Sequence, residues 1–136
     1  MTDDNRPGGK RQQGLAIMRE VYGWDVKDGP GDFFGLTVDH LFAEIWTRPG
    51  LTLRDRRLLL IGLLAGQGKD DIAEIQIGAA LRAGELDAGQ LREIVIFLTH
   101  YAGWPTGAKL SMTVEKLIGQ QADQQQNSDR ENIAGD

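Results

Sequence analysis

Apolar residues recur at helical spacing through the middle of the chain, and this pattern restricts the fold more than any other feature. Between residues 32 and 45 they mark one face of an α-helix, formed by Phe34, Val38, Leu41, Phe42 and Ile45. Nowhere do apolar and polar residues alternate in period-two runs bounded by hairpin turns. The sequence therefore predicts an all-α fold.

Glycines, prolines and capping residues divide this pattern into about six helices. Side chains that can cap a following helix stand at Asp32, Thr52 and Asp87. Residues that end a helix follow the predicted segments at Pro49-Gly50, Gly68, Gly84 and Gly103. Asp70 and Asp71 suit the start of the fourth helix. Pro105 suits the first turn of the last helix, which we expect to continue through Leu117.

The length of 136 residues indicates one domain, which we predict to span residues 10–119. Residues 1–9 form a predicted loose arm that contains Pro7 and two glycines. Residues 120–136 are rich in Gln, Asn, Asp and Ser, and we predict a polar, disordered tail there.

Two predicted helices, over residues 54–66 and 91–101, are apolar on more than one side. The first is apolar almost all round between Leu58 and Leu64, so we expect it to be the buried central helix. A small monomer has few ways to bury two faces of one helix, and large apolar patches rarely stay exposed. We therefore expect a homo-oligomer.

Composition excludes several classes of function. The chain has no cysteine, which rules out disulfides, thiolate metal sites and cysteine nucleophiles. Two histidines, His40 and His100, are too few for a histidine-rich metal site, and nothing indicates a metal or an organic cofactor. The net charge of −5 argues against a nucleic-acid partner. No apolar run is long enough to span a membrane and no signal peptide is evident, so the cytoplasm is the default expectation.

Two segments resemble the carboxymuconolactone decarboxylases, small all-helical proteins related to alkylhydroperoxidase D. Residues 43–51, with the sequence AEIWTRPGL, resemble the family's GE-V-W-x-RPGL entry into its central helix. Residues 101–105, YAGWP, resemble its YAG-x-P turn, and residues 79–84 are similar to its GAL-x-NG pattern. The resemblance covers about residues 35–119. It implies an alkylhydroperoxidase D-like helical bundle that assembles as a trimer or a hexamer.

The resemblance also shows where this chain departs from the family pattern. The alkylhydroperoxidase branch works through a Cys-x-x-Cys pair, so the absence of cysteine excludes thiol peroxidase activity. The decarboxylase branch carries Glu-x-x-x-His on its fourth helix, where both side chains share one face and can serve as acid and base. Here Ile72 stands at the Glu position and Gln76 at the His position. Gln76 can hydrogen-bond to a substrate but cannot transfer a proton.

Gln76 is therefore a candidate substrate-binding residue, the alternative being a glutamine on the helix surface or at a subunit contact. Glu44 and Arg48 stand four residues apart. They are either a charged pair at the mouth of the pocket, with Arg48 binding a substrate carboxylate, or a surface ion pair. Trp46 beside them is a candidate substrate platform, although a packing residue is the simpler interpretation. Arg57 stands just before an apolar stretch of helix. If it faces inward it needs an anionic partner, which could be a carboxylate-bearing ligand, Glu44 or Glu74.

His100 is the candidate proton donor, because Gln76 cannot fill that role and imidazole titrates near neutral pH. The alternative is a packed or interface histidine that is hydrogen-bonded to a backbone carbonyl. Glu44 is the second catalytic candidate. Tyr101 has an apolar body with a polar tip and could contact substrate or merely pack. We expect His40 to lie at the surface or at an interface.

Two functions are compatible with these residues. The first is a cofactor-free lyase that removes CO2 from a small carboxylated lactone or a related intermediate of aromatic catabolism. Arg48 and Arg57 would bind the remaining carboxylates and His100 would protonate the carbanion-like product. A different lyase, isomerase or hydrolase-like step on a small carboxylic or cyclic substrate fits equally well. The second is a non-catalytic oligomer that binds a small molecule or a protein, which the loss of the family Glu and His favours.

Overall fold

A computed structural model describes residues 9–135, and every regular element in that range is helical. Helix α1 covers Lys10–Tyr22, and α2 begins as an α-helical turn, Asp32–Gly35, before continuing as a π-helix, Leu36–Ile45. The remaining helices are α3 (Leu53–Gly66), α4 (Asp70–Arg82), α5 (Ala88–Ala102) and α6 (Trp104–Ala134). The predicted all-α fold of about six helices is confirmed. The predicted arm, residues 1–9, lies outside the described residues except for Gly9.

The chain forms two compact units, one ending at Leu60 and the other beginning at Ile61. In the first unit α1 packs on α2 around a buried cluster of Met18, Val21, Val38 and Phe42. A Cβ atom added at Gly14 would lie 2.1 Å from the carbonyl oxygen of Val38. The two backbones therefore approach so closely that only glycine fits on α1 at this point.

Ion pairs also join the elements of the first unit. Arg11 donates two hydrogen bonds to the carboxylate of Asp39, at 2.8 and 3.0 Å, and a third to Asp28 at 2.7 Å. The hydrogen bonds from Arg11 lower the pKa of Asp39 below its ordinary value. The same two carboxylates raise the pKa of Arg11. Arg11 therefore ties α1 both to α2 and to the segment between them.

Two details of α2 differ from the sequence prediction. Asp32 is the first residue of the helix rather than its N-cap, and Gly31 occupies the cap position with a φ of 97°. The helix ends at Ile45, four residues before Pro49. Its last hydrogen bond is π-helical, since the N–H of Trp46 donates to the carbonyl of Leu41, five residues back, at 2.9 Å. Apolar spacing alone could not distinguish this π-helical register, which rarely exceeds a single turn, from an ordinary α-helix.

The predicted caps of α3 and α5 are confirmed. The hydroxyl of Thr52 accepts a hydrogen bond from the N–H of Asp55 at 3.1 Å. Asp87 and Gln90 form a reciprocal capping box, with distances of 2.7 and 3.0 Å. Gly84 follows α4 with a φ of 71°, which is the left-handed conformation that favours glycine there.

In the second unit α6 packs against α4 and α5. A Cβ atom added at Gly107 on α6 would lie 2.0 Å from the hydroxyl oxygen of Thr99 on α5. Ion pairs join the outer edges of the same helices, between Arg92 and Glu115 at 2.8 Å and between Lys116 and Glu74. Glycine at position 107 thus allows α5 and α6 to pack at close range.

Helix α3 is not fully buried, contrary to the prediction for Leu58–Leu64. Ile61 and Leu64 are buried, but Leu59 is 64% exposed and Leu63 is 56% exposed. A helix that is apolar all round needs neighbours on every side, and within a single chain α3 lacks them on the side that bears these two leucines.

The structure continues α6 through the segment predicted to be a disordered tail. Residues 122–135 are all exposed, and the side chain of Gln121 makes a hydrogen bond to the carbonyl of Leu81 at 3.1 Å. Gln, Glu, Arg and Ala have favourable helix propensities, which accounts for a helical backbone without packing. The division into a domain at 10–119 and a tail at 120–136 stays a prediction. No helix in the described range combines the length and apolarity needed to cross a membrane.

Candidate functional site

His100 lies near the end of α5 and its imidazole is held in one orientation. Its Nδ1 atom is 2.7 Å from the carbonyl oxygen of Ile96, one turn earlier. A carbonyl only accepts, so Nδ1 carries the hydrogen and donates it. In the neutral ring Nε2 is then the unprotonated nitrogen, and it is the atom that gains or loses a proton. The ring also packs edge-on against Trp104, with 5.9 Å between the ring centroids.

His100 lines an open groove of about 260 Å³ between α5 and α6. The lining is formed by Val95, Ile96, Thr99, His100, Trp104, Gly107, Ala108 and Ser111. Thr99 is buried, and its hydroxyl donates to the carbonyl of Val95 at 2.6 Å. The lining thus combines small and apolar side chains with one imidazole, and it includes no lysine, arginine or carboxylate.

Gln76 on α4 does not line this groove. It is only 3% exposed, so the alternative of a helix-surface glutamine is wrong. Among the described residues no buried side-chain nitrogen or oxygen lacks a hydrogen-bond partner, so the amide of Gln76 is satisfied within the chain. Ile72, one turn earlier, is 44% exposed. Gln76 and His100 therefore do not share this groove.

Glu44, the second catalytic candidate, is an exposed residue of α2. Its carboxylate is 3.1 Å from Nζ of Lys10 and 3.6 Å from Nδ1 of His40. The hydrogen bond from Lys10 lowers the pKa of Glu44. The predicted pairing with Arg48 is wrong, because α2 ends at Ile45 and the two residues do not share a helix. The exposed guanidinium of Arg48 makes no hydrogen bond or ion pair with any described residue.

Arg57 is completely buried. Its guanidinium donates to the backbone carbonyls of Val21 at 2.7 Å and Glu20 at 3.3 Å, at the end of α1. Unpaired carbonyls at a helix C-terminus carry partial negative charge and stabilise a cation there. The sequence pattern indicated only carboxylates as partners of Arg57, and these backbone carbonyls were not predictable from it. Contact between Arg57 and a ligand stays a prediction.

Arg56 has a structural role in the loop between α2 and α3. Its guanidinium donates to the carbonyls of Trp46 at 3.2 Å, Arg48 at 2.8 Å and Leu51. These bonds hold the loop between α2 and α3. The signal in the sequence was an arginine close after Pro49-Gly50, in a loop whose carbonyls have no helical partners.

The two aromatic candidates have different environments. Trp46 is half-buried and stacks on Phe42 with 5.8 Å between the ring centroids, which supports the packing interpretation. Tyr101 is 82% exposed and contacts Phe97 edge-on, with the centroids 5.3 Å apart. Substrate contact by either residue stays a prediction.

Comparison with known proteins identifies the family. The sequence profile of the carboxymuconolactone decarboxylase family matches residues 31–111, which is more than half of the chain. The chain belongs to this family. A 4-carboxymuconolactone decarboxylase of Acinetobacter baylyi is 28% identical over 124 residues, covering 85% of this chain and 89% of the relative. A nitrosuccinic acid decarboxylase of Metarhizium robertsii is 29% identical over 125 residues, covering 82% of each chain.

Membership of the carboxymuconolactone decarboxylase family confirms the resemblance and the fold that it implied. Both relatives are named as decarboxylases of small carboxylated compounds. In this member, positions 72 and 76 hold isoleucine and glutamine, so α4 offers no proton donor at those positions. Between Gly9 and Gly135 no group of three or more His, Asp or Glu residues is placed to hold a metal ion.

Proposed function

We propose that this chain is a decarboxylase of a small carboxylated substrate, and that His100 supplies the proton that replaces CO2. The family and the two decarboxylase relatives support the reaction class. The observation that carries the role of His100 is that its imidazole lines the groove between α5 and α6. The 2.7 Å contact between its Nδ1 and the carbonyl of Ile96 is also the one expected of a histidine that only packs, but it leaves Nε2 as the nitrogen that would transfer a proton in the proposed reaction.

The proposed reaction needs one proton and no redox partner. The bond between the carboxylate and its neighbouring carbon breaks, CO2 leaves, and the electron pair passes into an adjacent electron-withdrawing group of the substrate. The Nε2–H of protonated His100 then donates its proton to that carbon. A positioned general acid of this kind contributes roughly 10²- to 10⁴-fold to the rate.

The remaining candidates keep their predicted roles within this proposal. Arg48 and Arg57 are candidates for binding a substrate carboxylate, and Arg48 has the more accessible guanidinium. Glu44 is the second catalytic candidate. Gln76, Trp46 and Tyr101 are candidates for contact with the rest of the substrate.

The test is CO2 release from purified protein supplied with 4-carboxymuconolactone or with nitrosuccinate. We expect His100→Ala to lower kcat by about 100-fold or more, because the proton donor is lost. The control is Ile133→Ala, at a residue of α6 that is 75% exposed and does not line the groove, and it should leave kcat unchanged. Turnover that survives in His100→Ala would remove His100 from the mechanism. No turnover with either substrate would reject both of them.

The second candidate function is binding without catalysis, in a homo-oligomer. One observation favours it: Gln76 is buried with its amide satisfied, and Ile72 is apolar, so α4 has no titratable side chain at either position. In that case the protein would bind the same carboxylated compounds, as measured by isothermal titration calorimetry, but would release no CO2 from them.

A further inference from the structure

The groove between α5 and α6 can pair with only one negative charge through its own lining. Of the described residues that line it, His100 alone can carry a charge, and the others are apolar residues, a threonine and a serine. Arg48 and Arg57, the candidates for binding carboxylates, do not line it. A protonated imidazole has one positive charge, so the groove can neutralise one carboxylate of a ligand.

The cations nearest to the groove along the chain are paired with acids. Lys109 directly follows Ala108 of the lining, but its Nζ atom is 3.0 Å from the carboxylate of Asp70 and it lines a different cleft. Arg92 lies one turn before the lining residues of α5, and it donates two hydrogen bonds to the carboxylate of Glu115, at 2.8 and 3.0 Å. Neither cation therefore adds a free positive charge to the groove.

The groove does offer uncharged hydrogen-bond donors. The buried hydroxyl of Thr99 is committed, because it donates to the carbonyl of Val95 at 2.6 Å. The hydroxyl of Ser111 and the indole N–H of Trp104 make no hydrogen bond with any residue between 9 and 135. Such groups donate to neutral oxygens, for example those of a carbonyl, a lactone or a nitro group.

This distribution of charge suits a carboxylate that leaves and not one that stays. A departing carboxylate loses its charge as CO2 forms, so an arginine or lysine bound to it would stabilise the substrate more than the transition state. The electron pair moves into a neighbouring group, where donors such as a hydroxyl stabilise the developing charge. A second carboxylate that remained on the substrate would leave water without gaining a cationic partner.

We propose that the groove at His100 selects substrates that carry one carboxylate on an otherwise uncharged body. The carbon that bears the carboxylate lies at Nε2 of His100. A neutral electron-withdrawing group beside it accepts hydrogen bonds from Ser111 and Trp104, and the apolar remainder packs on Val95 and Ile96. The product then carries no carboxylate. The selectivity rests on the lining of the groove, whereas the loss of CO2 rests on the proposed function.

The experiment compares the binding of two probes, 3-nitrobenzoate and isophthalate, at fixed ionic strength and pH 6. A nitro group and a carboxylate are both planar with two terminal oxygens, so the probes match in shape and differ by one negative charge. Both carboxyl groups of isophthalate are ionised well below this pH. Proton NMR follows the imidazole Cε1–H signals of the two histidines, which the variant His40→Ala assigns.

We expect 3-nitrobenzoate to shift the His100 signal with a dissociation constant of the order of 1 mM, which is typical of so small a ligand. Isophthalate should bind at least about tenfold more weakly, because its second charge has no partner. Ala108→Lys places a cation at an exposed position of the lining and should remove most of this difference. Ala122→Lys, also exposed and about 20 Å farther along α6, is the matched control and should preserve it.

Equal dissociation constants for the two probes in the wild type would overturn the proposal. So would a His100 signal that 3-nitrobenzoate does not shift at concentrations well above the expected dissociation constant, or an Ala108→Lys variant that keeps the wild-type preference. The expected preference in a protein that releases no CO2 in the decarboxylation assay would contradict only the proposed function.

Discussion

Gly107→Ala tests the close approach of α5 and α6. The added Cβ atom would lie 2.0 Å from the hydroxyl oxygen of Thr99 and 2.7 Å from both its Cβ and its Cγ2. No rotation of the Thr99 side chain removes all three contacts, since its Cβ stays in place. Overpacking of this kind costs about 1–3 kcal/mol. Replacing a helical glycine with alanine by itself raises the free energy of unfolding by about 0.5–1 kcal/mol. We therefore expect a net destabilisation of up to about 2.5 kcal/mol.

Gly119→Ala on the same helix is the matched control, because nothing lies within 4 Å of its added Cβ. It should stabilise the protein by about 0.5–1 kcal/mol. Urea unfolding at a fixed protein concentration measures both variants, so that any subunit association affects them equally. The double variant Gly107→Ala/Thr99→Gly should show a favourable coupling energy of about 1 kcal/mol or more. If Gly107→Ala were as stabilising as Gly119→Ala, the helix contact described here would be wrong.

Three further predictions concern stability. Asp87→Ala removes the capping box of α5 and should lower the free energy of unfolding by about 1 kcal/mol, measured by urea titration; no change would mean that the cap contributes nothing. Arg57→Met leaves the buried carbonyl of Val21 without this donor and should cost about 1–3 kcal/mol, whereas Arg54→Met at an exposed position should be nearly neutral. Arg11 lowers the pKa of Asp39 in the folded protein. The ionised carboxylate therefore stabilises the fold at pH values above the pKa that Asp39 has in the unfolded chain. This stabilisation is lost as the pH falls through the pKa of Asp39 in the folded protein. Stability should thus decline from about pH 4 downward, and Asp39→Asn should flatten the decline; an identical pH profile for the variant would refute this assignment.

Features that depend on neighbouring residues were predictable from the sequence. Thr52 and Asp87 cap their helices because the hydroxyl and the carboxylate reach N–H groups three residues away. Gly84 follows α4 for an equally local reason, its positive φ. The fold class followed from spacing alone, and family membership confirms the resemblance.

Features that depend on distant parts of the chain were not predictable. The partners of Arg57 are carbonyls 36 and 37 residues away in sequence, which no spacing rule identifies. Glu44 pairs with Lys10, which is 34 residues away, rather than with Arg48. The groove at His100 is lined by Gly107, where α6 approaches α5 closely, and nothing local in the sequence marks this glycine as a helix contact.

The π-helix of α2 has a consequence for changes in chain length. Hydrogen bonds that reach back five residues fit more residues into each turn than an α-helix holds. A deletion of one residue within Leu36–Ile45 can therefore be absorbed by rewinding a turn to the α-helical register. Asp39 and Glu44, which bind Arg11 and Lys10, would then meet α1 at altered positions. A one-residue deletion in α1 cannot be absorbed by a change of helical register in this way, because it would displace Gly14 from its close contact with Val38.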